Sequence, residues 1–258
     1  MELILQLLPP FLLIFCRITS FFVVTPIFSA RTIPTHYKIG LSAFLSFIIV
    51  ASEVGEQTVV IDALYALSIM KEIVIGLLLG FIAYMFFTVV QTAGSFIDLQ
   101  MGLGMANIID PMTGAQAPLL GNLKFFIATL LFLALNGHHY LIAAILDSYE
   151  WVPLSSDLFA KLYDGSVNEF LVTSFSQAFA LAFQMAAPFV AAMFLVDVGL
   201  GILTKVAPQF NVFVIGIPLK ILIGFMMLML LIPGFYNLFS ELFDRMIKAV
   251  QQLTGLLQ

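Results

Sequence analysis

Residues 199–220, GLGILTKVAPQFNVFVIGIPLK, place Lys205, Pro208, Gln209, Asn211, Pro218 and Lys220 inside sequence otherwise apolar enough for a lipid bilayer. Lipid offers no partner for ammonium groups, carboxamides or the backbone that prolines disconnect. This segment must therefore face protein or a water-filled passage. The rest of the chain has the same character. Of 258 residues, 62% are hydrophobic and only 10% charged, with a mean hydropathy of +1.10, where soluble domains are roughly 45 to 50% apolar. An all-α integral membrane protein follows, since helices satisfy their backbone without help from water. The lone Cys16 excludes an internal disulfide, and three scattered histidines offer no metal cluster. A net charge of −5 without a basic run argues against nucleic acid as a partner.

The first apolar stretch, 3–28, has no basic leader or small-residue cleavage site, and carries Pro9, Pro10 and Arg17; it is not a removed signal. Further apolar stretches cover 40–51, 73–90, 125–146, 170–196 and 212–235, where a span needs about 20 residues. That gives six helical segments. The second is short, and 170–196 is long and interrupted by Pro188, so kinked, tilted or partly inserted helices are expected. If the loops alternate sides, Arg31, Lys38, Lys124 and Lys205 balance Lys71, Lys161, Arg245 and Lys248, a tie under the positive-inside rule. The tie hints that the helices do not simply cross and recross lipid.

Between 147 and 169, Pro153, Ser155, Ser156, Asp157, Asp164 and Gly165 mark a solvated connector. Ser166 with Glu169 reads as a capping box opening the next helix. At the carboxyl end, Leu242, Phe243, Met246, Ile247, Val250, Leu253 and Leu257 fall on one helical stripe, with Asp244, Arg245, Lys248, Gln251 and Gln252 opposite. Such a helix is expected to lie on a membrane surface or against a partner subunit.

Residues 91–122 separate two strongly apolar stretches without being loop-like in composition. Gly94, Gly102, Gly104, Gly114 and Gly121 permit close backbone approach, and Asp110 before Pro111 favours a turn. Among them lie Met101, Met105, Ala106, Asn107, Ile108 and Ile109. Methionines on a glycine-flanked backbone close around irregular shapes, and apolar constrictions gate by excluding water. The plainer reading is that Met101 and Met105, one helical turn apart, pack a core.

These residues carry a resemblance. The run Gly94-Ser-Phe-Ile-Asp98-Leu-Gln-Met101-Gly-Leu, then Ile108-Ile109-Asp110-Pro111, then Val206-Ala-Pro208-Gln209-Phe-Asn211 on to Pro218-Leu-Lys220, resembles the FliR/SctT family of type III export-gate membrane proteins. Arg17, the stretch Pro26-Ile-Phe-Ser29, the stretch Arg31-Thr-Ile-Pro34 and the Asn136-Gly137-His138 turn fit as well, so the likeness covers nearly the whole chain.

The resemblance implies a structural role in the flagellar basal body, in the bacterial inner membrane. The chain would assemble with FliP and FliQ, with FlhB wrapped outside and FlhA nearby, around a path for unfolded flagellar substrates. It implies one export-gate domain over 1–258, with a FliP-like part at 1–165, a FliQ-like hairpin at 166–240 and an amphipathic helix at 241–258. It gives the residues from Gly104 to Ile108 the role of a pore plug, with Met105 and Ile108 where some relatives carry phenylalanine. Asn107 then either binds the flanking turn or lines the path. Lys205, Gln209 and Asn211 would satisfy helix ends around a break at Pro208, and Lys220 would snorkel or meet an acid on FliQ or FlhB. Asp197 and Lys205, two turns apart, form a further expected pair. Arg17 calls for a carboxylate or a helix carboxyl end.

Three other readings share some of these features. An injectisome SctT protein has the same architecture. A secondary transporter or channel would also set Asp197, Lys205 and Lys220 on broken helices, but it predicts an internal repeat that is not evident. An enzyme using His138 and His139 lacks a nucleophile, a metal set or a second acid at any telling spacing. No cofactor and no catalytic residue is expected.

Overall fold

The computed structural model describes residues 2–30, 32–51, 64–103, 119–154, 163–209 and 211–257. Among them seven helices follow in order: α1 (Glu2–Val24), α2 (Thr35–Val50), α3 (Tyr65–Gln100), α4 (Leu119–Ala134), α5 (Gly137–Trp151), α6 (Ser166–Val206) and α7 (Val212–Leu256). The six apolar stretches are all helical, but that at 125–146 is two helices. Asn136 takes a left-handed conformation, φ 58°, before Gly137, and α4 and α5 meet there at a 69° bend. A short amide side chain tolerates that backbone better than most residues.

Four helices are long and apolar enough to cross a membrane, or five if the bent α4–α5 pair is one span. The 16 residues of α2 fall short, as their sequence suggests. The expectation that Pro188 interrupts its segment is corrected: α6 runs on through it for 41 residues, and α7 runs through Pro218 and Pro233 for 45. A proline removes one backbone bond, and the long apolar flanks hold the helix on either side of it. At 1.5 Å per residue these helices reach about 60 Å or more, twice the hydrocarbon thickness.

Contacts divide the chain into two compact units. One comprises 1–86, 136–175 and 243–258, the other 87–135 and 176–242, so α3, α6 and α7 each supply residues to both. In the first unit, α2 packs against α1, and Ile14, Ile18, Phe21, Ile75 and Leu79 are buried. Gly76 lets α3 approach α1 closely: a Cβ there would sit 2.2 Å from the Arg17 carbonyl oxygen. The 241–258 stripe belongs to this unit from Phe243 onward. Leu242, Phe243, Met246, Val250, Leu253 and Leu257 are buried, and the stretch continues α7 without a break. Most of its apolar side is thus covered by the chain itself, where a membrane or partner surface was expected to cover it.

Several buried hydroxyls bond to a carbonyl one turn back along the chain. Ser20 donates to Arg17 O at 2.9 Å, Thr25 to Phe21 O at 2.6 Å and Ser46 to Ser42 O at 2.7 Å. A hydroxyl bonded one turn back adds no polar burden to an apolar interior. The charges, by contrast, need partners from other elements.

Candidate functional site

In the first unit Arg17 is fully buried and joins three helices. Its Nε donates to Glu72 Oε2 at 2.6 Å. Nη1 donates to the Ser148 carbonyl and hydroxyl at 3.2 and 3.1 Å, and Nη2 to the Val152 carbonyl at 2.9 Å. Arg17 thus has both a carboxylate and a helix carboxyl end. Its guanidinium carbon lies 4.1 Å from the centre of the Tyr149 ring, and the Tyr149 hydroxyl donates to Ile14 O at 3.1 Å. Lys71 adds a bond to Leu154 O at 2.5 Å and stands 3.6 Å from Glu72 Oε1. Two cations therefore occupy the carboxyl end of α5, where the helix dipole is negative, and share one carboxylate. The arrangement is a staple rather than a reactive site, because every strong donor is already bound.

In the second unit, Asp98 near the end of α3 accepts from the backbone N–H of Leu120 at 3.1 Å and of Gly121 at 3.3 Å. A side chain from one helix thereby caps the amino end of another, α4. The two backbones nearly touch there. A Cβ on Gly94 would meet Gly121 Cα at 2.2 Å. One turn farther along α4, buried Lys124 lies 5.0 Å from the ring centres of both Phe189 and Phe235, a cation–π arrangement that ties α4 to α6 and α7.

Met101 is fully buried. Its side chain fills the space above Gly224, where a Cβ would lie 2.3 Å from the Met101 methyl carbon, so it packs as a core residue. Gly102 follows with φ 79°. Gly104, Met105, Ala106, Asn107, Ile108, Ile109, Asp110 and Pro111, the remainder of the expected plug, lie outside the described residues.

On the α6–α7 hairpin the expected pairing of Asp197 with Lys205 is corrected. Asp197 Oδ1 meets Lys220 Nζ at 2.5 Å, because α7 brings Lys220 across the hairpin while Lys205 stands exposed in the last turn of α6. Lys220 therefore finds its acid in this chain. The turn between the helices holds exposed Pro208 and Gln209, and Asn211 Oδ1 accepts from Val214 N at 3.4 Å as the cap of α7. Pro218 lies inside α7 and does not end it. The Asp197 side chain is 44% exposed, so replacing it by asparagine is expected to move the unfolding midpoint little, in keeping with the roughly 0 to 1 kcal/mol of a half-solvated pair. Thermal unfolding in detergent checks this, and a loss as large as that expected for Glu72 would refute it.

Sequence reasoning missed these contacts: it counted Lys71 and Lys124 only as loop charges, quoted Asp98 only within a motif and gave Glu72 no role. A signal existed. Glu72, Gly76 and Gly80 stand at intervals of four, as do Gly94 and Asp98, so an acid and a glycine share one helix face where another backbone can approach. Among the described residues no group of three or more His, Cys, Asp and Glu side chains could hold a metal. His138 and His139 only stack on each other, with ring centres 4.0 Å apart.

The sequence profile of the family described as "Bacterial export proteins, family 1" matches residues 8–246. The chain belongs to this FliR/SctT family of bacterial export proteins. It is 42% identical over 256 residues to the flagellar biosynthetic protein FliR of Bacillus subtilis (strain 168), covering 99% of this chain and 98% of the relative. It is 31% identical to FliR of Escherichia coli (strain K12), over 92% and 91% of the two chains. Yop proteins translocation protein T of Yersinia pestis is 30% identical over 89% and 88%. This FliR-family chain is thus a membrane component of a type III protein-export apparatus and not an enzyme.

Proposed function

We propose that this FliR-family chain assembles with FliP, FliQ and FlhB, beside FlhA, in the inner membrane at the flagellar basal body. The assembly forms the pore through which unfolded flagellar subunits leave the cell. Its 1–165 part takes a FliP-like place in the ring and its 166–240 hairpin a FliQ-like one, and residues 104–108 plug the pore at rest. The observation that carries this reading is the poor burial of the hairpin. The most apolar windows of α6 and α7 are only 22% and 11% buried within the chain, and Phe179, Phe183, Phe194, Leu222, Met226 and Leu230 are exposed. Lipid alone is a poor cover, because the Asp197 carboxylate, the more exposed member of the Asp197–Lys220 pair, would then sit against hydrocarbon. Neighbouring export subunits cover both the apolar and the ionic parts. The flagellar apparatus is favoured over the injectisome by 42% against 30% identity.

The test is site-specific photo-crosslinking from Met105 in cells whose export is stalled by a substrate with a folded carboxyl-terminal domain. Exposed Leu130 serves as the control position. The expected result is an adduct to the stalled chain from Met105 and none from Leu130. Adducts from Met105 to membrane subunits alone would overturn the plug assignment.

A further inference from the structure

The first unit carries a cleft of about 540 Å³ between α5 and the end of α7, which shares only Ser148 with the Arg17 staple. On α5 it is lined at 140, 143, 144, 147, 148 and 151, and on α7 at 247, 250, 251 and 254. Both sets follow the spacing of a single helix face. The cleft therefore runs between two helical ridges, along about 16 Å or three turns of α5, and two such ridges can receive a third helix. Small Ala143 and Ala144 leave the middle open. Tyr140 and Trp151, each about half exposed, stand toward its ends as the large amphipathic side chains that anchor interfaces.

Charge narrows the occupant. Asp147 is exposed on the cleft, Glu150 follows three residues on, and neither has an ion pair or hydrogen bond among the described residues. Both carboxylates sit in the last turns of α5, which carry no basic side chain of their own, so they add to the negative end of the helix dipole. Arg17 and Lys71 reach that end from the interior, where they are held by Glu72 and the carbonyls of Ser148, Val152 and Leu154. Asp147 moreover belongs to the bent α4–α5 pair, which together is long and apolar enough for a broken span or a re-entrant loop, and an unpaired carboxylate against lipid is disfavoured in either.

We propose that this cleft is the docking groove for a helix of another protein of the membrane, one that lays a lysine or arginine against Asp147 and a small residue over Ala143 and Ala144. The groove supplies the acid and the aromatic walls; the partner supplies the cation. The surface is independent of the plug and of the α6–α7 hairpin.

The test places a photo-crosslinking residue at Gln251, on the rim of the groove, in the full chain expressed with its native partners. The crosslinked peptide is sequenced. The expected adduct is a helical peptide of a different chain with a lysine or arginine within one turn of the site. Asp147→Arg lowers the adduct yield about tenfold, and exchanging that partner base for glutamate restores it. Ala143→Trp, which fills the groove, lowers the yield likewise. Yields are normalised to the amount of chain in the membrane. Should Asp147→Arg reduce that amount, Asp147→Asn carries the same comparison. Adducts only to lipid or to a second copy of this chain, or a yield that Asp147 and Ala143 substitutions leave unchanged, would overturn the proposal.

Discussion

Glu72→Ala is expected to cost this protein more than any other single side-chain truncation. Arg17 and Glu72 are both fully buried. Removing one member of such a pair leaves an uncompensated charge in an apolar interior, at about 3 to 5 kcal/mol. That is a large part of the roughly 5 to 15 kcal/mol by which a folded domain exceeds its unfolded state. Arg17 would keep its bonds to Ser148 and Val152, but carbonyl dipoles do not neutralise a guanidinium, and Lys71 stands beside it with the same sign. Glu72→Gln keeps an acceptor and should fall between the variant and the parent. The double change Arg17→Leu, Glu72→Leu removes both charges and should be less damaging than Glu72→Ala alone. Recovery will be partial because Val152 O then loses its guanidinium partner. The single tryptophan, Trp151, adjoins that carbonyl, so its fluorescence reports unfolding in detergent. An unchanged midpoint for Glu72→Ala, or a double variant worse than the single, would refute this account.

That pair also shows what a sequence read one position at a time leaves out. Arg17 stood out because it interrupts an apolar run, and its need for a carboxylate or a helix end followed from solvation alone. Glu72 did not stand out, since it follows Lys71 at the edge of an apolar stretch and reads as a solvated connector. Helix identity was legible for the same reason throughout: apolar runs of spanning length leave few alternatives. Helix ends were less legible. Pro188, Pro218 and Pro233 look like breaks but lie inside continuous helices, whereas the bend at Asn136 depends on one left-handed residue. Partners across 20 or more residues were least legible. Asp197 finds Lys220 rather than Lys205, and Asp98 finds the start of α4, because both choices depend on how helices fold back. The acid and glycine spacing at 72, 76 and 80 and at 94 and 98 was the only trace those contacts left in the sequence.

The second large effect is expected from a single methyl group. Gly94→Ala would place a Cβ 2.2 Å from Gly121 Cα and 2.7 Å from Gly121 N. Both are backbone atoms, and no rotamer change moves them aside. With carbon contacts settling at about 3.5 to 4.0 Å, α3 and α4 must separate by about 1.5 Å. Asp98 bonds to Leu120 N and Gly121 N at 3.1 to 3.3 Å, already at the long end for such bonds. Separation therefore breaks them. Two amides at the start of an apolar helix then lose their acceptor, at about 1 to 3 kcal/mol each, in addition to the strain of overpacking at about 1 to 3 kcal/mol. Asp98→Ala removes the same two bonds but adds no overpacking, so it should cost less than Gly94→Ala by the strain alone, about 1 to 3 kcal/mol. Because both changes act through one junction, the double variant should be little worse than Gly94→Ala alone, a marked departure from additivity. Unfolding midpoints for the four proteins decide it. A Gly94→Ala protein as stable as its parent would mean that α3 and α4 part without cost, and additive losses would mean that the glycine contact and the Asp98 cap are separate devices.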